Sequence, residues 1–460
     1  MMTAPRWIRR LVTAALVGVS VVAVAGTSSP APRVAAQVST LGAGGEFHAL
    51  TPFRAFDSRP ESPINVAAPG ARRIDPAAEF NVKLAGVGTL PASPDDILAV
   101  VATVTVVDPT GPGWLAVRAT GTSGTSSLVN FAPGRNVPNL AIVGLGADGA
   151  ITVTMGPKSG ASANVIVDVF GFLSKSSYTG GRGARLVPVG PARLKDTRET
   201  GTPLRAGEVR PVQIRGAASY MPTINPAVPN RPTVTAALVN IAAVNNRPGS
   251  TATFLSASPS RPVPPVKTSN VNVVAGQIKT ALAVVPVVDG EIYVYNHSGE
   301  TDVIVDIFGY FETIPDDTTA GRIVPLAAPF RAFDTREPAF GNLPLGTGTV
   351  EDWSFEAFAK SVSMPSGGID LSAQSALIGN LTATDLNRVY PSVVASTYLT
   401  GYAGDDARPL VANLNVAEGE VVPNMSLLPY SESGAPYVVK TYNHYGSIHY
   451  VLDVYAIVLK

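Results

Sequence analysis

Short apolar runs rich in β-branched residues recur along this chain, each closed by turn-forming residues. "ILAVVATVTVV" (97–107), "NVIVDVFGFL" (164–173) and "TALAVVPVV" (280–288) are examples. Such runs predict strands, because β-branched side chains pack well on a pleated surface and lose rotamer freedom in a helix. No apolar period of about 3.6 residues persists for a useful length. Strands at a spacing of roughly ten residues, separated by turns, predict a sandwich or barrel. Within 164–172, Ile166, Asp168, Phe170 and Phe172 fall on one face, and Val165, Val167 and Val169 on the other. Both faces are apolar except for the aspartate. The segment therefore reads as a central strand carrying a buried carboxylate, which needs a charged or multiply hydrogen-bonding partner.

The pattern occurs three times. "PFRAFDSRP" (52–60), "PARLKDTRET" (191–200) and "PFRAFDTREP" (329–338) share Arg-x-x-Asp-[Ser/Thr]-Arg. Their aspartates, Asp57, Asp196 and Asp334, lie 139 and 138 residues apart. A second string, "NVIVDVFGFL" (164–173), "DVIVDIFGYF" (302–311) and "HYVLDVYAIV" (449–458), carries Asp168, Asp306 and Asp453. Between the two strings, Asn130, Asn272 and Asn415 each stand four residues before a glycine. A period this long is a domain, not a solenoid repeat. The sequence therefore predicts an all-β protein of three tandem β-sandwich or barrel-like modules of about 130 residues each, at 46–174, 184–313 and 321–460. Each is large enough for a core of its own. The joints, 175–184 and 313–320, are polar and rich in Gly or Asp.

The first residues change the picture of where the protein works. Arg6, Arg9 and Arg10 precede the apolar run Leu11 to Ala25. That run is short for a membrane span and suits the apolar region of a signal peptide. Residues 1–36 are expected to be a signal peptide, cleaved after Ala25 or Ala36, and 37–45 a flexible lead-in. The expected destination is secreted or extracellular, at or beyond the cell wall, with no stable membrane span after signal removal. The chain has 34 basic and 34 acidic residues. Without the first 36 residues, which hold four Arg and no acid, these become 30 and 34, a net of −4. A mildly acidic protein without a basic stripe is a poor nucleic-acid ligand. The absence of cysteine excludes disulfides.

The order of motifs resembles a tandem module of secreted actinobacterial proteins: Arg-x-x-Asp-Thr-Arg, an Asn-containing strand, Asn-x-x-x-Gly-x-x-x-Pro-Asn, then Asp-[Val/Ile]-Phe-Gly-[Phe/Tyr]-[Leu/Phe]. The resemblance covers nearly the whole chain beyond the signal segment. It implies a secreted protein, since that module stands in tandem or is appended to extracellular hydrolases. Two departures are visible. The second repeat has Thr280-Ala281 where the others have Pro138-Asn139 and Pro423-Asn424, and the third has Tyr455-Ala456 in place of Phe-Gly.

The recurring charges read as a structural ion-pair network. Arg59, Arg198 and Arg336 are expected to meet Asp168, Asp306 and Asp453, joining the first strand of each repeat to its last. Asp57, Asp196 and Asp334 complete the network, and Arg54, Arg193 and Arg331 are the alternative partners. Guanidinium binds carboxylate bidentately, so the pairing fits the buried position. The competing reading makes Asp57 and Asp168 a carboxylate pair for glycoside hydrolysis. An acid flanked by arginines stays ionised, which suits a salt bridge better than a general acid.

Other chemistry is sparse. No nucleophile elbow or Walker loop is present. His444 and His449 lack metalloprotease spacing, and the pairs Asp95-Asp96, Asp316-Asp317 and Asp405-Asp406 lack the order of a calcium loop. No metal and no cofactor are expected. Amide and aromatic side chains give the binding candidates: Asn130, Asn139, Asn272, Asn415, Asn424, Trp114 and Tyr402, with Tyr398 and Tyr437 as further aromatics. The aromatics are not expected at equivalent places in the repeats. The function expected is a non-catalytic surface protein, structural, adhesive or glycan-binding at the cell envelope. Its partner is cell-wall or extracellular polysaccharide, or another surface protein. The alternative is an extracellular glycan or ester hydrolase with a site in one divergent repeat, the third before the others.

Overall fold

The computed structural model describes residues 9–11, 44–62, 73–124, 126–156, 161–175, 177–217, 228–361, 373–433 and 435–460. The expected signal segment and its cleavage sites lie outside these, apart from a three-residue strand, β1 (Arg9–Leu11).

The chain is all-β, as the alternation of apolar runs and turns predicts. The first repeat holds β2 (Phe47–Asp57), β3 (Glu79–Lys83), β4 (Ile97–Val107), β5 (Gly113–Ala119), β6 (Val129–Phe131), β7 (Val137–Gly144), β8 (Ala150–Met155) and β9 (Asn164–Ser174). The second holds β10 (Arg185–Asp196), β11 (Val209–Gln213), β12 (Val234–Asn245), β13 (Thr253–Ser258), β14 (Val271–Val273), β15 (Gln277–Pro286), β16 (Glu291–Asn296) and β17 (Asp302–Glu312). The third holds β18 (Ile323–Asp334), β19 (Val350–Ser354), β20 (Gln374–Thr384), β21 (Ser396–Ala403), β22 (Leu414–Ala417), β23 (Val422–Pro429), β24 (Val438–Asn443) and β25 (His449–Leu459).

Six sheets result, two per repeat. The orders β2-β9-β4-β7, β10-β17-β12-β15 and β18-β25-β20-β23 describe one set, here called inner. The outer set is β3-β8-β5-β6, β11-β16-β13-β14 and β19-β24-β21-β22, with β1 added to the edge of the last. In every inner sheet the strand carrying the late aspartate lies between the first strand and the long apolar one. That strand is buried along its whole length, which is why its sequence is apolar on both faces.

Both sheets of a repeat contribute to one core. In the third, Leu377, Leu381 and Val454 of the inner sheet pack with Trp353, Leu399 and Val439 of the outer one. Trp353 stacks on Phe333, with ring centroids 4.1 Å apart, and its indole N–H donates to the Tyr450 hydroxyl at 2.6 Å. The first core does not stop at its own repeat. It runs on into Leu282, Val284 and Phe308 of the second and Ile378, Met425 and Leu427 of the third. The strands β7, β15 and β23 each pack on the other two. Contacts then run cyclically. The outer sheet of the first repeat meets the inner sheet of the third, that of the third meets the second, and that of the second meets the first.

The polar joints of the sequence are part of this packing. Gly45 pairs with Ile323 and Phe47 with Ala184 as isolated bridges, so the starts of the three repeats meet. Glu46 holds Arg185 at 3.2 Å and Arg322 at 3.3 Å, and Arg185 also reaches Asp316 at 2.6 Å.

Candidate functional site

The Arg-x-x-Asp strings fix one edge of each joint between repeats. Arg54 lies directly opposite Asp168 across β2 and β9, Arg193 opposite Asp306, and Arg331 opposite Asp453. Each guanidinium is bidentate: Arg54 Nε to Asp168 Oδ1 at 2.9 Å and Nη2 to Oδ2 at 3.1 Å, with the same pattern in the other repeats. The expectation that Arg59, Arg198 and Arg336 meet the late aspartates is therefore corrected. Those three instead clamp the early aspartates, with Arg59 Nη2 to Asp57 Oδ2 at 2.7 Å, Arg198 to Asp196 at 2.5 Å and Arg336 to Asp334 at 2.6 Å. The reason is a bulge. The register shifts between Arg54 and Phe56, and at the corresponding points of β10 and β18. Strict alternation would put Arg54 and Asp57 on opposite faces, but one extra residue brings them together. Arg54 Nη1 then reaches Asp57 Oδ2 at 3.2 Å.

The two aspartates differ electrostatically. Burial pushes Asp168, Asp306 and Asp453 above the ordinary aspartate value, against the pull of their arginines. Burial works the same way on Asp57, Asp196 and Asp334. There the hydrogen bonds from Arg59, Arg198 and Arg336 outweigh it, and those carboxyls lie below the ordinary value. Asp57 and Asp168 are each 1% exposed and share Arg54, so the proposed carboxylate pair offers no room for a sugar between its members.

Several binding candidates turn out to be internal. Asn139 and Asn424 are buried clasps between repeats. Asn139 Nδ2 donates to Asn380 Oδ1 at 2.9 Å, and its own Oδ1 accepts from Met425 N–H at 3.0 Å. Asn424 repeats the geometry one joint on, to Asn240 Oδ1 at 3.1 Å and from Leu282 N–H at 3.0 Å. At the joint of the second repeat onto the first, Ala281 stands where the clasp asparagine would be. Tyr402 is buried. His449 is buried with Nδ1 3.0 Å from Thr335 Oγ1, and His444 stacks on Tyr398. Among the described residues no group of three or more His, Asp or Glu side chains is placed to hold a metal.

Trp114, Asn130, Asn272 and Asn415 fall into equivalent cross-strand pairs, one per repeat. Trp114 lies opposite Asn130 across β5 and β6, Phe254 opposite Asn272, and Tyr398 opposite Asn415. Trp114, Phe254 and Tyr398 are therefore equivalent, which corrects the expectation for Trp114 and Tyr398. They stand 16, 18 and 17 residues before their asparagines, because the intervening loops differ in length, and no fixed spacing announces them. Across each joint this aromatic–amide pair looks toward the arginine network of the next repeat.

One joint opens into a cleft of about 330 Å³. The first repeat supplies Trp114, Ser127 and Asn130, and the third supplies Arg331, Arg336, Thr382, Thr384, Val421 and Val451. Thr382 is 5% exposed, yet its hydroxyl has no hydrogen-bond partner among the described residues. A buried, unpaired hydroxyl is costly, and here it lines a cavity. Gly156 lies against the Trp114 ring: a Cβ there would be 2.4 Å from Cε2. Ser127 Oγ accepts from Asn130 Nδ2 at 3.2 Å, which fixes the amide at the cleft wall.

No protein-family model and no curated protein matches the chain. Among solved structures, the tandem CBM22-1-CBM22-2 domain of Paenibacillus barcinonensis Xyn10C aligns over 60% of this chain and 96% of its own, at 11% identity and a TM-score of 0.16. The Sulfolobus turreted icosahedral virus structure aligns over 83% of each chain, at 8% identity and a TM-score of 0.15. At these TM-scores neither likeness bears on the fold or the function of this protein.

Proposed function

We propose that the protein is a non-catalytic, extracellular glycan-binding protein of the cell envelope, and that the cleft between its first and third repeats is the binding site. The observation that carries this reading is the pairing of a half-buried indole with an unpartnered buried hydroxyl in one cavity. Sugars present an apolar C–H face and a hydroxyl edge, and an aromatic ring beside fixed donors and acceptors matches both. The basic-then-apolar N-terminal segment supports export. The same reading takes each repeat as one two-sheet module of the sandwich type, because both of its sheets feed one core, with the modules locked rather than strung on linkers.

The test is retention of the full chain on purified cell-wall polysaccharide, beside Trp114→Ala. Wild type should be retained and the variant released, with unchanged circular dichroism. Equal retention of both proteins, or retention no better than that of an unrelated β-protein, would overturn the proposal.

A further inference from the structure

Three repeats offer three equivalent joints, and a multivalent binder would use all of them. We infer instead that the chain binds a single glycan end, short and uncharged, at the joint of the first repeat onto the third. This inference rests on the glycan reading above.

The other two joints carry larger side chains or cross-joint hydrogen bonds at the corresponding places. At the joint of the third repeat onto the second, His444 stacks on Tyr398 at 4.5 Å, where the first repeat has Gly156. Arg408 lies 4.0 Å over the neighbouring Tyr442 ring. The floor there is apolar: Ala242, Val244 and Ile304 cluster with Ile278, at the positions of Thr382, Thr384, Val451 and Val421. Asn415 is drawn across to Thr280 Oγ1 at 2.5 Å. At the joint of the second repeat onto the first, His297 stacks on Phe254 at 4.4 Å, and Arg54 donates to the Lys267 carbonyl at 2.6 Å. Arg193 likewise donates to the Leu410 carbonyl. The consequence is measurable in exposure: the Arg54 and Arg193 side chains keep 14% and 16%, and Arg331 keeps 43%.

Charge and size limit the ligand. The two arginines of the open cleft, Arg331 and Arg336, are matched by two carboxylates, Asp334 and Asp453, so the network carries no net charge for an acidic sugar to neutralise. The remaining polar groups are two threonine hydroxyls, a serine and an amide, which suit neutral hydroxyls. A volume of about 330 Å³ is at the small end of ligand clefts, which fits one or two rings at a chain end and not a long polysaccharide run.

Isothermal titration of the full chain with cellotriose, xylotriose, maltotriose, chitotriose and trigalacturonate tests this. At least one neutral trisaccharide should bind with one site per chain, and trigalacturonate about tenfold more weakly or not at all. Trp114→Ala and Thr382→Val should each weaken that binding by about tenfold, with the fold retained by circular dichroism. Phe254→Ala and Tyr398→Ala should leave it within about twofold. Three sites per chain, or equal losses on changing Tyr398 and Trp114, would overturn the single-site inference while leaving the glycan reading intact. Trigalacturonate binding tighter than every neutral probe would overturn the uncharged specificity. No binding of any probe by folded wild type would overturn the glycan reading itself.

Discussion

The joint of the first repeat onto the third and the joint of the third onto the second share a frame and differ in filling. Both have an aromatic–asparagine pair facing an arginine–aspartate network, and both have an asparagine clasp at the centre. They part at the small positions. Gly156 against His444, Thr382 against Ala242 and Thr384 against Val244 turn one joint into a cleft and the other into packed core. The recurring frame is thus structural at both joints, and whether a joint opens into a cleft depends on which residues are missing or polar at one copy. The larger Trp114 ring is accommodated because position 156 carries no side chain, and it faces a floor of hydroxyls in place of a methyl cluster.

The largest expected difference between the joints is in stability. Arg193→Ala strands Asp306 in a closed joint, while Asp196 keeps Arg198, and should cost about 3–5 kcal/mol. Arg331→Ala acts on a half-open one, where water can solvate the carboxylates, and should cost about 1–3 kcal/mol. Denaturant unfolding followed by circular dichroism decides it, and equal losses would mean the two joints are not different in burial. The clasps should behave alike. Asn139→Ala and Asn424→Ala each leave a buried backbone N–H unpaired, at Met425 and Leu282, and each should cost about 1–3 kcal/mol. A neutral result for one of them would break the equivalence of the two frames.

The smallest effect is on pH. Burial, then the Arg408 charge, holds His444 below the ordinary histidine value, and burial does the same for His449 and His48. A depressed histidine contributes stability that is complete above the unfolded value of about 6.5 and is lost as pH falls through the folded one. Thermal melts should therefore fall from pH 7.5 to pH 5.5. His449→Gln should flatten that fall more than His444→Gln, because His449 is buried and His444 only partly so. A slope unchanged in both variants would show that neither ring titrates differently on folding.

The sequence by itself determined the strand-rich class, the threefold recurrence, and the need for arginine beside the buried aspartates. These follow from local alternation, from counting, and from the cost of an unpaired charge, none of which requires distant contacts. Which arginine does the pairing was hidden by a bulge, since one extra residue reverses the face on which Arg54 lies, and strict alternation cannot reveal it. Tertiary structure alone decided that the repeats lock around β7, β15 and β23, that Asn139 and Asn424 are clasps, and that Trp114 and Thr382 line one cleft across a joint. Those residues lie far apart in the chain, and their meeting depends on how sheets pack between repeats, which no pattern within a single repeat encodes.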